Sequence, residues 1–390
     1  MLLADSLNRL GTETAFEVLA RAAELQRQGK DIINLGIGQP DFATPPHIVE
    51  AAIKALRDGH HGYTPAQGIL PLREAVSADL KRRHGVTVDP GNVVIMPGGK
   101  PTMFFAILMF GTPKTEIMYP DPGFPIYRSM IEYTGAKPVP ITLREETGFA
   151  FSADEVLAQI TPKTSLIILN SPGNPTGGAV PASEIKRLIA GLAKHPHVAV
   201  MSDEIYSLLL YDGMQHESFL KYPEIADRLI LLDGWSKTYA MTGWRLGYSV
   251  WPKALVEKVV RLCTNCHSCV NAPTQYAGIA ALEGPQDAVF KMAKAFDERR
   301  RVIVPMLNQL PGFRCVNPTG AFYAFPNITK TGWSSKKLAD ALLEQAGVAC
   351  LSGTAFGDYG EGYLRFSVAN SLENLNKALA KIEQWATKNL

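Results

Sequence analysis

The sequence predicts an α/β protein: a large region with a mostly parallel sheet between helices, followed by a smaller α/β region. Three observations carry this. Short apolar runs alternate with stretches of helical composition through the middle of the chain, the pattern of a parallel sheet built from strand–helix units. One run, Leu166-Ile167-Ile168-Leu169, is continuous rather than alternating, as suits a strand buried on both faces. After Gly284 the rhythm changes to one long charged helix and then short strand-like pieces.

Taken in order, residues 1–30 read as an amphipathic arm. Glu13, Glu17 and Glu24 interrupt any apolar stretch there, so the arm does not resemble an export signal and the expected compartment is the cytoplasm. Residues 31–38 read as a strand and loop leading onward, with the arm packing on the smaller region. Strands are expected at 93–96, 116–119, 137–141, 165–170, 198–203, 229–232 and 247–251. Helices are expected at 101–110 and 183–194, the latter capped by Ser183. Beyond 284, one helix over 286–310 carries a charged face, Asp297-Glu298-Arg299-Arg300-Arg301. Strand-like pieces at 321–325 and 363–368 and helices at 336–345 and 372–389 complete the chain. The domain division is therefore 1–45 as arm and part of the small domain, 46–284 as the large domain and 285–390 as the small C-terminal domain.

Composition bounds the function. The 390 residues are 46% hydrophobic and 19% charged, with a formal net charge of +2. Acids and bases are mixed along the chain, which gives no electrostatic reason to expect nucleic acid or an anionic membrane as partner. No apolar run is long enough to span a bilayer. Five cysteines, an odd number, read as free thiols.

In a parallel α/β sheet, ligands sit beyond the carboxyl ends of the strands. The residues just after the apolar runs are Gly98-Gly99-Lys100, Asn174-Pro175-Thr176-Gly177, Asp203-Glu204-Ile205-Tyr206 and Ser236-Lys237-Thr238. A primary amine in such a crevice can form a Schiff base with a carbonyl. A carboxylate in the same crevice can keep a pyridine nitrogen protonated, and a protonated ring is a better electron sink. Gly98-Gly99-Lys100 opens a helix whose N–H groups suit a phosphate, and Arg245 adds a bidentate donor. Together these parts describe a pocket for pyridoxal phosphate.

The run Ser236-Lys237-Thr238-Tyr239-Ala240-Met241-Thr242-Gly243-Trp244-Arg245-Leu246-Gly247 resembles the Schiff-base lysine signature of the class I/II pyridoxal-phosphate-dependent aminotransferases, which share the fold type I of aspartate aminotransferase. Asn34-Leu35-Gly36-Ile37-Gly38-Gln39-Pro40-Asp41-Phe42, Tyr63-Thr64-Pro65 with Gly68, Leu72 and Arg73, Asp121-Pro122-Gly123-Phe124-Pro125 and Tyr363-Leu364-Arg365-Phe366 resemble further motifs of that family, in its order. The resemblance implies a seven-stranded type of main sheet and pyridoxal 5′-phosphate as cofactor. Lys237 would hold the cofactor and then act as general base, Asp203 would pair with the ring nitrogen, and Tyr206 and Asn174 would bond the ring hydroxyl. Phe124 would stack on the ring, with Gly99, Lys100, Ser236 and Arg245 around the phosphate. Arg365 would clamp the substrate α-carboxylate, helped by Asn174 and the backbone at Gly38. Tyr63 would reach the phosphate of a neighbouring subunit, which implies a homodimer.

The implied reaction moves an amino group from an L-amino acid to a 2-oxo acid in ping-pong order. Lys100 sits where relatives resembling aspartate aminotransferase carry a lysine for a distal carboxylate, which favours aspartate and glutamate. Its other reading is a helix-start lysine near the phosphate. Aromatic amino acids, alanine and kynurenine remain as substrates, and a carbon–sulfur β-lyase as a different reaction on the same cofactor. One position departs from the family: Gly234 stands where a phosphate-binding serine is usual, so weaker cofactor retention is expected. Gly36-x-Gly38 lacks the third glycine of a dinucleotide fingerprint, and Gly99-Lys100 lacks the upstream glycine and following hydroxyl of a P-loop. Cys263, Cys266 and Cys269 with His267 have ligand-like spacing, but the fourth ligand of an iron–sulfur signature is missing; period three on a helix gives a small apolar stripe instead, and no metal is expected.

Overall fold

The computed structural model describes residues 1–390. In chain order its strands are β1 (Ile33–Asn34), β2 (Val93–Met96), β3 (Glu116–Asp121), β4 (Lys137–Thr142), β5 (Thr164–Asn170), β6 (Ala199–Asp203), β7 (Leu229–Gly234), β8 (Gly247–Val250), β9 (Tyr323–Ala324), β10 (Val348–Ala349), β11 (Leu351–Ser352) and β12 (Leu364–Ser367). Seven of them form the main sheet in the order β2-β8-β7-β6-β5-β3-β4. Only β8 runs antiparallel to its neighbours; the other pairings are parallel.

Every residue of β2, β3, β6, β7 and β8 is buried, because helices cover both faces and leave no side for polar residues. Side chains still alternate across the sheet: Val94 and Met96 pack with Met103, Ile107 and Tyr127 on one face, Val93 and Ile95 with Leu72 and Leu80 on the other. At the edge, β4 carries Pro138 and Pro140 and pairs only with β3; a proline cannot donate to a further strand, so the sheet stops there. Helix Ala182–Leu192 shows how the covering helices are held. It buries Ile185, Leu188, Ile189 and Leu192, a three–four spacing that makes one apolar stripe. Each such side chain stabilises by about 1.5–3 kcal/mol, and Leu188→Ala would cost about 2–5 kcal/mol.

Register decides what meets at the sheet's edge. Asn170 pairs with Asp203, and Asp203 with Leu232. Gly247 pairs with both Gly234 and Met96. The carboxyl ends of β2, β5, β6 and β7 therefore lie side by side, where open α/β sheets take ligands.

A second core joins Ile33 and Leu35 to Tyr206, Leu209 and Tyr211 and to residues from Met292 to Ala386. It packs around a three-stranded antiparallel sheet, β11-β12-β9. β1 pairs in parallel with β10, and helix Thr14–Arg27 lays Ala22 and Leu25 against Ile32, Leu343 and Ala349. Helix Leu372–Asn389 starts at Ser371, whose hydroxyl accepts from the Asn374 N–H at 3.1 Å, a side-chain N-cap.

Three local expectations are corrected. The helix expected to start at Ser183 begins one residue earlier after Pro181, with no side-chain cap; proline's fixed φ sets the entry, and Ser183 falls within the first turn. The charged run 297–301 is not one solvated face. Five consecutive residues go right round a helix, and Arg299 and Arg300 point inward: Arg299 forks onto Asp41 at 2.6 and 2.9 Å, and Arg300 binds Asp297, Asp212 and the Pro318 carbonyl. The helix at 336–345 is α-helical only over Ser335–Ala341 and widens to a π-turn over Leu342–Ala346. No helix is long and apolar enough to cross a membrane. Cys263 is buried with its thiol 3.7 Å from the Met96 sulfur.

Candidate active site

A cavity of about 570 Å³ opens at the carboxyl edge of the main sheet. Gly38, Gly99, Lys100, Phe124, Asn174, Asp203, Tyr206, Ser236, Lys237, Arg245 and Arg365 all line it. Tyr63 does not; it is 93% exposed on the same chain.

Lys237 sits in the one-turn helix Trp235–Thr238 that ends β7. Trp235 anchors this turn: it is fully buried, and its indole N–H donates to the Gly278 carbonyl at 3.1 Å. Lys237 can then project into the cavity, where Nζ donates to the Gly38 carbonyl at 2.6 Å. Burial, then the positive charges of Arg365 and Arg245, bring its ammonium down to about 8. Loss of hydration and like charge both disfavour the protonated form. The amine is thus poised to lose its proton near neutral pH, which a nucleophile or base requires.

Asp203 ends β6. Its Oδ2 accepts from the Tyr127 hydroxyl at 2.6 Å and its Oδ1 from the Ile205 N–H at 3.2 Å. Burial raises its carboxyl to about 7 against the lowering pull of those bonds. It makes no ion pair within the chain, so it is a buried acid in want of a cation.

Arg365 on β12 is 3% exposed. Nη1 donates to Asn174 Oδ1 at 2.8 Å and Nη2 to the Gly36 carbonyl at 2.5 Å. Its guanidinium lies 4.5 Å from the Tyr323 ring centre and 4.8 Å from that of Phe356, while Nε has no partner. Asn174 is itself fixed, its N–H donating to Asn170 Oδ1 at 2.9 Å. The Tyr206 hydroxyl bonds that of Tyr323 at 2.8 Å.

Two glycines are required by close approach. Gly98 has φ +91°, and a Cβ there would lie 2.1 Å from an Arg245 guanidinium nitrogen. The turn before helix Lys100–Phe110 and Arg245 therefore share one corner, with Arg245 held by the Thr242 carbonyl at 2.8 Å. A Cβ on Gly38 would meet the Tyr323 hydroxyl at 2.2 Å. Gly234 has a related explanation: a Cβ there would stand 2.8 Å from Gly247 Cα, so the strand pair β7–β8 packs too closely for a side chain.

Several residues at or behind the cavity wall were hidden in the sequence. Tyr323 lines the cavity and Tyr127 lies behind Asp203; both look like core aromatics and are buried like them, and only the fold reveals their hydroxyl partners. Glu13, expected merely to interrupt the arm's apolar pattern, reaches the cavity and forms an ion pair with Lys100. Phe16 and Phe124 flank that lysine, their ring centres 5.6 and 5.7 Å from Nζ.

The residues present fit pyridoxal phosphate. A buried acid without a counter-ion suits a ring nitrogen that carries a proton. An amine brought down to about 8 suits an aldehyde. A helix start beside an arginine suits a phosphate. The volume lies within the range of small-molecule sites.

Comparison with known proteins agrees. The family profile described as aminotransferase class I and II matches residues 30–382. An aspartate aminotransferase of Pyrococcus horikoshii is 40% identical over 94% of this chain and 93% of its own. An aromatic-amino-acid aminotransferase of Thermococcus litoralis is 37% identical over 98% of each chain. The solved structure of a Thermus thermophilus aspartate aminotransferase with maleate superposes with a TM-score of 0.93 at 32% identity, covering 98% of this chain and 99% of that one. With the family profile spanning most of its length and relatives of this identity matching it nearly end to end, this chain belongs to the class I and II aminotransferases, the pyridoxal-phosphate-dependent transaminases of fold type I.

Proposed function

We propose that the chain transfers the amino group of aspartate or glutamate to a 2-oxo acid, with Lys237 as its catalytic base. The single observation that carries this is Lys237 and Asp203 in one cavity, the amine brought down to about 8 and the acid left without a counter-ion.

Lys237 Nζ would hold the cofactor aldehyde, Asp203 its ring nitrogen, and Tyr206 with Asn174 its ring hydroxyl. Phe124 would cover the ring face. Gly99, Ser236 and Arg245 would surround the phosphate. When bound, pyridoxal phosphate supplies an aldehyde that takes the amino group and a protonated ring that accepts the electron pair released at the substrate α-carbon. The chain does the rest. Arg365, oriented by Asn174 and the Gly36 carbonyl, clamps the α-carboxylate and aims the α-proton at Lys237. Lys237 Nζ would take the substrate α-proton and return it, as a general base then acid. Burial of Arg365 and Asp203 strengthens both contacts by excluding water.

Lys100 supports the acidic substrate: it is a second cation in the cavity, carried on helix Lys100–Phe110 whereas Arg365 is on β12. Aspartate aminotransferases among the relatives point the same way. Aromatic amino acids are a second reading, favoured by the Phe16, Phe124 and Phe356 side chains in the lining. A homodimer completes the proposal, with Tyr63 reaching the partner's phosphate; an exposed tyrosine outside its own cavity supports it.

The test is an absorption spectrum of the protein with pyridoxal phosphate, titrated with single L-amino acids without acceptor. A visible Schiff-base band that converts with aspartate or glutamate is expected. A band unmoved by every amino acid overturns the transaminase reading, and pyruvate and ammonia released without a 2-oxo acid would mark an eliminating enzyme instead.

A further inference from the structure

Lys100 is not free in this cavity. Its ammonium is paired with Glu13, a residue of the N-terminal arm. Glu13 occupies the N-cap position of helix Thr14–Arg27, yet its side chain makes no capping bond. A carboxylate there would ordinarily be drawn to the helix's own free N–H groups. Instead it turns into the cavity, where its side chain is only 18% exposed against 42% for Lys100. Phe16, one turn on, lies over the same ammonium. The arm is held mostly by polar surface contacts: within its helix only Ala22 and Leu25 are buried, Leu7, Leu10 and Phe16 remain exposed, and Arg9, Gly11 and Arg21 bond the Glu132 carbonyl, the Ser129 hydroxyl and Glu344.

The consequence is electrostatic. A distal carboxylate entering the cavity does not meet a bare cation; it meets an ion pair with no net charge, one member of which repels it. Binding through Lys100 requires that Glu13 leave. A neutral side chain makes no such demand, because it can rest against the closed pair and the Phe16 and Phe124 rings. A ping-pong transaminase handles two amino acids in turn at one site, and a wall that opens to a carboxylate and closes to an uncharged surface suits both.

We propose that Glu13 is a specificity-determining residue: an internal carboxylate that competes with the distal carboxylate of an acidic substrate for Lys100. This rests on the reading that Lys100 meets that carboxylate, and it adds a competitor carried on the N-terminal arm.

The experiment uses the protein loaded with pyridoxal phosphate and follows loss of the visible band in single turnovers, with L-aspartate and with L-phenylalanine. In Glu13→Gln the half-saturating aspartate concentration should fall on the order of three- to tenfold, the scale of one partly exposed charge pair. The maximal rate, and the half-saturating phenylalanine concentration, should change less than twofold. A general loosening of the arm would move both substrates together, and that result, or a weaker grip on aspartate, overturns the proposal. Lys100→Gln provides the second arm: aspartate should weaken more than phenylalanine, and equal effects would overturn the competition as well. A wild-type protein that converts no amino acid at all would instead refute the transaminase reading, before Glu13 is in question.

Discussion

At Lys237 two demands meet: the amine must shed its proton to react, and it must stand among cations that bind phosphate and carboxylate. The second helps the first, since Arg365 and Arg245 oppose a further positive charge. Capture of pyridoxal phosphate by cofactor-free protein should therefore quicken as pH rises, with a midpoint at about 8. Removing a like charge favours the protonated amine, so Arg365→Met should move that midpoint upward; stopped-flow absorbance across pH 6–10 would read it, and an unmoved midpoint would argue that burial alone sets it. Asp203 gives the opposite sign. The folded protein keeps its proton up to about 7, whereas an unfolded chain releases it near 4. Between those values the folded state binds more protons, so Asp203 makes the cofactor-free fold less stable as pH rises through that window, and the full penalty stands above it. Asp203→Asn should raise stability at pH 8 by up to about 4 kcal/mol and leave it unchanged near pH 3, while lowering turnover by about 10² or more. Urea unfolding at the two pH values, beside steady-state rates, separates the effects. These two residues were legible in the sequence because a lysine and an acid directly after apolar strands stand out. Tyr127 and Glu13 were not: one is an aromatic on a buried helix, the other an acid on an arm full of acids, and only three-dimensional proximity distinguishes them.

Helix Ile126–Thr134 holds Tyr127 beneath Asp203, which makes it a positioning element for the ring-nitrogen contact. Tyr127→Phe keeps the packing and removes the donor. A hydrogen bond to a buried carboxylate contributes about 1.5–3 kcal/mol to stability, so Tyr127→Phe should cost about that much in urea unfolding of the cofactor-free protein and also lower kcat/KM; an unchanged kcat/KM would show that the Ile205 N–H suffices. At β7–β8 the packing decides against chemistry. Gly234→Ser would set a Cβ 2.8 Å from Gly247 Cα, and backbone cannot step aside as a side chain does. The expected result is destabilisation of about 1–3 kcal/mol rather than a tighter grip on phosphate, read by thermal unfolding and cofactor titration together. Strands were the legible elements, since burial on both faces writes a continuous apolar run, as in Leu166–Leu169. Helix ends were less so: Ser183 carries a capping side chain by type, but Pro181 fixes where the chain turns in. The inward turn of Arg299 and Arg300 was also hidden, because their partners Asp41 and Asp212 lie far away in sequence.

For the whole molecule, the parallel sheet and the smaller antiparallel layer follow from the alternation of runs, but the assembly does not. A monomer presents Tyr63 at 93% exposure, outside the cavity that the other expected site residues share. In the proposed dimer each cavity is completed from the opposite subunit, and symmetry makes that exchange reciprocal. Complementation follows. A Tyr63→Ala chain has an intact Lys237 but offers no tyrosine; a Lys237→Ala chain offers the tyrosine but has no base. Each homodimer is impaired at both sites. A mixed dimer rebuilds one complete site from the first chain's lysine and the second chain's tyrosine, and leaves the other doubly defective. Unfolding and refolding the two variants together at equal concentration makes about half the dimers mixed, so activity should reach about a quarter of wild type. Mixing without refolding should give only the average of the two homodimers. If refolding also gives that average, Tyr63 serves its own subunit or none, and the cavity is complete within a single chain.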